Sequence, residues 1–142
     1  MAKKQTKKSG KAPRQAEPTA VLYRLDPGTP HGDAVRGVLT DQGFRVRTAT
    51  AENLSDPVGS LVGMPGIKPS AKPFDGETPD CEFMLLHNVS SSKLNDLLAA
   101  LRTADASVGC KAQVTQYNRL WPFGTLVQEV SREHALMTGS GE

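Results

Sequence analysis

The chain has 142 residues, 37% of them hydrophobic, and a formal net charge of +2, which is the make-up of one ordinary domain with a modest core. No apolar run reaches the 18 or more residues of a membrane span, and no apolar stretch follows the N-terminal lysines as in a secretory signal. Two cysteines, Cys81 and Cys110, are too few for a disulfide-stapled secreted domain, so a cytoplasmic protein with two buried thiols is expected; a redox pair would lack the C-x-x-C spacing.

Residues 1–19 read as a basic tail. They are rich in Lys, Gln, Ser, Gly and Pro, and Lys3, Lys4, Lys7, Lys8, Lys11 and Arg14 stand there with no acid before Arg14. Such a segment buries too little apolar surface to offset the entropy of ordering. It reads either as a solubilising extension or as an arm that binds nucleic acid weakly and without sequence preference, by counterion release. With six of the 17 basic residues placed there and 15 acidic residues in the chain, the body is net acidic. Charge alone therefore does not make the body a nucleic-acid-binding domain.

Residues 20–137 read as a single α+β domain, with 138–142 a disordered C-terminus. Ala20–Leu25 is an apolar strand closed by the turn signal Asp26-Pro27-Gly28. Thr29 followed by Pro30 suits a helix N-cap, Val35, Val38 and Leu39 fall at helical spacing, and Gly43 stops the helix; Gly32 and Gly37 weaken it. Phe44–Thr48 alternates, with Arg45 and Arg47 on one side. Leu54, Val58, Leu61 and Val62 suggest short helical turns after the start signal Asp56-Pro57.

Gly63 to Pro79 is rich in Pro and Gly and has no period, which is long for a connection inside a compact domain. It reads either as a lid over a pocket or as a connection that Ile67 and Phe74 tack onto the body. Glu82–His87 is a strand apolar on both faces. Ser90–Ser92 can cap an amphipathic helix bearing Leu94, Leu97, Leu98 and Leu101. Val108–Val114 is a further strand, with Val108, Cys110, Ala112 and Val114 on one face and Lys111 and Gln113 on the other. A last helix runs from about Pro122 to Met137 and buries Phe123, Leu126, Val127 and Val130.

The order β-α-β, long loop, β-α-β, helix predicts a ferredoxin-like βαββαβ fold with an extra C-terminal helix; the alternative is a small doubly wound α/β sheet. The first and third strands are apolar on both faces, which supports the ferredoxin-like arrangement, where they are the central pair. Something must then cover the second face: the last helix, the turns near Leu54, or a second subunit in a homodimer.

The spacing of Lys111-Ala112, Thr115, Asn118, Trp121, Leu126, Glu129 and Glu133-His134 resembles the closing motif of a small bacterial protein family catalogued as a domain of unknown function. The resemblance extends over about 20–137, through Val21-Leu22-Tyr23, the segment Val58–Gly66 and the Leu-rich helix from Lys93 to Leu101. Where similar sequences often place Thr or Ser after the Trp, this chain has Pro122. The resemblance implies a fold but no activity.

Five residues, Lys111, Thr115, Asn118, Arg119 and Trp121, form the leading candidate site. A helix N-terminus presents free backbone N–H groups that suit an anion. Lys111 and Arg119 add charge, Trp121 a stacking face and Asn118 an amide. The competing reading is a loop held by an Asn turn with Trp121 plugging the core. Glu129, Glu133 and His134 could do acid–base work or form a solvated helix face that pairs with Arg132. His31, His87 and His134 are scattered, so no metal site is expected, and no cofactor motif is present. Arg45, Arg47, Lys111 and Gln113 would make a basic sheet face, but Tyr23 and Phe83 are the only aromatics available for reading RNA from it. The expectation is a non-enzymatic binding or regulatory module for a small anionic ligand or a protein partner. The alternatives are a nucleic-acid accessory protein acting through the tail, and an enzyme built on Asn118, Glu129 and His134.

Overall fold

A computed structural model describes residues 17–139. The basic side chains Lys3, Lys4, Lys7, Lys8, Lys11 and Arg14 lie outside the described residues. The elements in chain order are β1 (Thr19–Tyr23), α1 (Pro30–Asp41), β2 (Arg45–Ala49), a 3-10 turn (Ala51–Asn53), α2 (Val58–Leu61), β3 (Phe83–His87), α3 (Ser91–Thr103), β4 (Cys110–Gln113) and α4 (Phe123–Gly139). The fold is mixed α+β, with a four-stranded sheet in the order β2-β1-β3-β4. β1 pairs with β2 in parallel, β1 with β3 antiparallel, and β3 with β4 in parallel.

The central pair is β1 and β3, as their two-sided apolar character requires, but the order around them departs from the ferredoxin-like expectation. A split βαβ leaves a gap between the strands it joins. Here β1 and β2 are hydrogen-bonded neighbours, and so are β3 and β4. Each half is a closed β-α-β unit, and the two units meet antiparallel along β1 and β3. That antiparallel junction also separates the sheet from an all-parallel, doubly wound one. Burial patterning tells which strands are covered on both faces; it does not tell which neighbour an edge strand joins.

Helices and turns cover both faces of the sheet. Ala20, Leu22, Met84 and Leu86 point to one face and pack with Val35 and Leu39 of α1 and Leu97 and Leu101 of α3. Val21, Tyr23, Phe83 and Leu85 point to the other, where Leu54, Val58, Leu61 and Val62 join Phe123, Leu126 and Val127 of α4. Phe123 meets both central aromatics edge-on, with ring centroids 5.8 Å from Tyr23 and 5.7 Å from Phe83. Each of the valine, leucine, methionine and phenylalanine side chains contributes about 1.5–3 kcal/mol through burial. The last helix and the turns near Leu54 therefore supply the second cover within one chain.

The first face is built by regular local signals. Thr29 caps α1, its Oγ1 accepting from Gly32 N at 3.1 Å, and Ser90 caps α3 by accepting from Lys93 N at 3.2 Å. Gly32 is more than a weak helix former. A Cβ there would sit 2.1 Å from the Asp26 carbonyl oxygen, so the turn closing β1 can fold back against α1 only over a glycine. Lys93 donates from Nζ to the Gln42 carbonyl at the end of α1, which satisfies one of its free carbonyls.

The expected basic sheet face does not form. Arg45 and Arg47 stand level with Thr19 and Val21 on the α4 face, whereas Lys111 and Gln113 stand level with Met84 and Leu86 on the α1–α3 face. The two groups also occupy opposite edges of the sheet. Tyr23 and Phe83 are 2% and 0% exposed, so no aromatic on a central strand is available to stack a base. β4 is shorter than expected: Val108 precedes it and joins the α1–α3 cluster, while Cys110 joins the other.

Candidate functional site

Between β4 and α4, the chain makes a loop that is held tightly and yet presents apolar surface. Asn118, 8% exposed, is its anchor. Its Oδ1 accepts from Thr115 N at 2.9 Å and its Nδ2 donates to the Gln113 carbonyl at 3.1 Å. Thr115 Oγ1 returns the contact by accepting from Tyr117 N and Asn118 N, both at 3.1 Å. This is the Asn-held turn of the competing reading.

The next residues are clamped to the segment around α2. Gly59 N donates to the Arg119 carbonyl at 2.7 Å and Val58 N to the Trp121 carbonyl at 2.9 Å; in return, Phe123 N donates to the Asp56 carbonyl at 2.8 Å and Gly124 N to the Leu54 carbonyl at 2.8 Å. The first N–H groups of α4 are thereby taken up by protein carbonyls. Lys111 is committed as well, with Nζ donating to the Val108 carbonyl at 2.6 Å. Of the five residues singled out by sequence, Thr115, Asn118, Arg119 and Trp121 share this loop, and Lys111 lies behind it on β4.

Trp121 does not plug the core; Phe123 does. Trp121 is 39% exposed, and with Tyr117 at 78% and Leu120 at 61% it forms the exposed large hydrophobics of the described residues. All three fall within five positions of one loop. Sequence reading passed over Tyr117 and Leu120 because a loop has no period from which to read exposure. An open groove of about 240 Å³ continues from Trp121 and Pro122 along α4, past Thr125 and Gln128 to Glu129 and Arg132.

The long connection between α2 and β3 is tacked down rather than free to act as a lid. Phe74 lies against Gly124, where a Cβ would come within 2.5 Å of its ring, and Ile67 lies against Gly59. Buried Asp56 accepts from Ser70 N at 3.0 Å, Tyr23 OH donates to the Pro79 carbonyl at 2.6 Å, and Gln128 donates to the Glu77 carbonyl at 2.7 Å.

The imagined enzyme constellation does not come together. Asn118 bonds to Gln113 at the end of β4, whereas the His134 ring lies over Gly109 at its start, about 13 Å away along the strand. Glu129 is paired with Arg132. Among the described residues, no group of three His, Cys, Asp or Glu side chains is placed to hold a metal ion, and no helix is long and apolar enough to cross a membrane.

Elsewhere, His31 ties α1 to the segments that lead into β3 and β4. Its Nδ1 meets Glu82 at 2.9 Å and its Nε2 meets the Ser107 carbonyl at 3.0 Å. The hydrogen bond to Glu82 raises its pKa above the ordinary histidine value. Burial lowers that of His87.

No curated protein and no solved structure matches the chain. The expected resemblance ran over 20–137; the part that matches, from the residue ahead of β3 into α4, takes in the loop and its anchors. Residues 82–137 match the model of a family described as Domain of unknown function (DUF3783).

Proposed function

We propose that this chain is a non-enzymatic binding module whose 115–122 loop docks onto a protein partner. The observation that carries this reading is the exposure of Tyr117, Leu120 and Trp121 on one short loop whose backbone is already fixed by Asn118. Trp, Tyr and Arg dominate the energetics of protein interfaces, and Arg119 stands between the aromatics. A preformed loop loses little entropy on binding. A small anion is a poorer fit, because the amides of Phe123 and Gly124 and the ammonium of Lys111 already have partners.

A photo-reactive phenylalanine analogue at position 117, with a control at Lys68 on the long connection, tests this in cells. Covalent adducts to protein at 117 and none at 68 are expected, and a second copy of this chain would be identified by the mass of the adduct. Absence of adducts, or adducts to nucleic acid alone, would reject the reading.

One observation favours a second reading. Two exposed aromatics flanking an arginine can stack single-stranded bases, and the basic tail would add counterion release. Anisotropy of labelled single strands across a salt series separates the two: if full-length protein and its Tyr117→Ala/Trp121→Ala variant bind equally, the loop takes no part.

A further inference from the structure

Cys81 and Cys110 are far apart in sequence and side by side in the fold. Cys81 falls at a bend two residues ahead of β3. Cys110 opens β4, level with Phe83. Both side chains join the cluster under α4, both thiols are free, and each is near enough to act on the other electrostatically. Their exposures differ. Cys110 is 7% exposed, whereas Cys81 is half-buried and forms part of the wall of an open cleft of about 490 Å³ between residues 77–80 and the α4 residues Gln128, Ser131 and Arg132.

We propose that Cys81 and Cys110 form a reversible intramolecular disulfide, with Cys81 the thiol that meets the oxidant in the cleft. The oxidant is a low-molecular-weight disulfide, RSSR. Cys81 gives up its proton to solvent, its thiolate attacks one sulfur of RSSR, the S–S bond of RSSR breaks, and RS⁻ leaves and takes up a proton, giving a Cys81–S–S–R mixed disulfide. The Cys110 thiol passes its proton to solvent or to RS⁻, and its thiolate attacks the Cys81 sulfur. The second RS⁻ leaves and is protonated. Two protein thiols are oxidised, one RSSR is reduced to two RSH, and both thiol protons end on RSH. Burial raises the pKa of Cys110, so less of it is thiolate to meet the oxidant directly, in keeping with Cys81 reacting first. The new bond would fasten the end of the long connection to edge strand β4, beside the Pro79 carbonyl that holds Tyr23.

Full-length protein equilibrated in buffers of reduced and oxidised glutathione, then alkylated and weighed intact, tests this. Both thiols should vanish together, giving a monomer lighter by two hydrogens and carrying no glutathione. Cys110→Ala should stop at a Cys81–glutathione adduct, and in Cys81→Ser the reaction of Cys110 should be roughly tenfold slower or more. A glutathione adduct persisting as the end product of the unsubstituted protein, disulfide-linked dimers, or thiols that react independently would overturn the proposal. If Cys110→Ala fails to fold, the unsubstituted protein and Cys81→Ser still decide it.

Discussion

The two faces of the sheet are covered by different means. The α1–α3 face is closed by two regular amphipathic helices, each with a hydroxyl cap and a leucine or valine stripe. The α4 face is closed by a patchwork of one helix, one short turn and a long irregular connection, joined by carbonyls and glycine contacts. Both features proposed to bear function, the 115–122 loop and the cysteine pair, lie on the patchwork side. Irregular backbone can present side chains that a helix face must bury, and this is where recognition surfaces commonly sit.

If this contrast holds, the regular face should be the less forgiving. The largest effect is expected from Gly32→Ala. The new methyl would meet backbone, the Asp26 carbonyl at 2.1 Å, and the turn would have to move. A loss of about 3 kcal/mol or more is expected, measurable by urea denaturation. A loss under about 1 kcal/mol would mean that the turn after β1 yields easily.

Asn118→Ala should rank next. It removes the acceptor for Thr115 N and the donor to Gln113 and should cost about 1–3 kcal/mol. Trp121→Ala, by contrast, should change stability by no more than about 0.5 kcal/mol while abolishing adducts at position 117. Equal stability losses for the two variants would show that Trp121 supports the fold.

On the patchwork side, Gly124→Ala should be milder than Gly32→Ala, at about 1–3 kcal/mol, because the group in its way is the Phe74 ring, which can swing out with its loop. Hydrogen exchange should then show residues 70–78 opening while α1 and α3 stay protected. Uniform loss of protection would contradict the idea of a separable cover.

The smallest effect concerns pH. A histidine whose folded pKa is raised stabilises the fold fully below its unfolded value of about 6.5, and the contribution fades as pH rises through the folded pKa. For His31, which faces Glu82 and the Ser107 carbonyl, the difference in melting temperature between the protein and His31→Ala should therefore be greatest in mild acid and shrink toward alkaline pH. His87, with its pKa lowered by burial, acts in the opposite sense, favouring the fold less as pH falls below the unfolded value. A His31→Ala difference that grows with pH would reject the assigned pair.

Local pattern was a sufficient guide wherever one element carries its own signal. The caps at Thr29 and Ser90, the leucines of α3, the alternation around Arg45 and Arg47, and the two-sided apolar character of β1 and β3 are properties of adjacent residues, so they were legible without neighbours. Phe123, Leu126 and Val127 likewise marked the buried side of α4. The long connection was legible as irregular, and Ile67 and Phe74 as its attachment points, because large apolar side chains in an otherwise polar stretch seek burial.

Tertiary structure decided what depends on pairs of residues distant in the chain. Strand order is one case: parallel neighbours and a split βαβ share the same periodicity, and only packing of the two halves selects β2-β1-β3-β4. The separation of Arg45 and Arg47 from Lys111 and Gln113 follows from that order. The role of Gly32 and Gly124 depends on what approaches them from elsewhere, and the meeting of Cys81 with Cys110 depends on β3 lying beside β4. The 115–122 loop combines both kinds of information. Asn118 announced a turn by its chemistry and Phe123 its burial by its spacing, but that Phe123 alone occupies the space beside Tyr23 and Phe83 and leaves Trp121 outside is decided by packing, which a sequence does not contain.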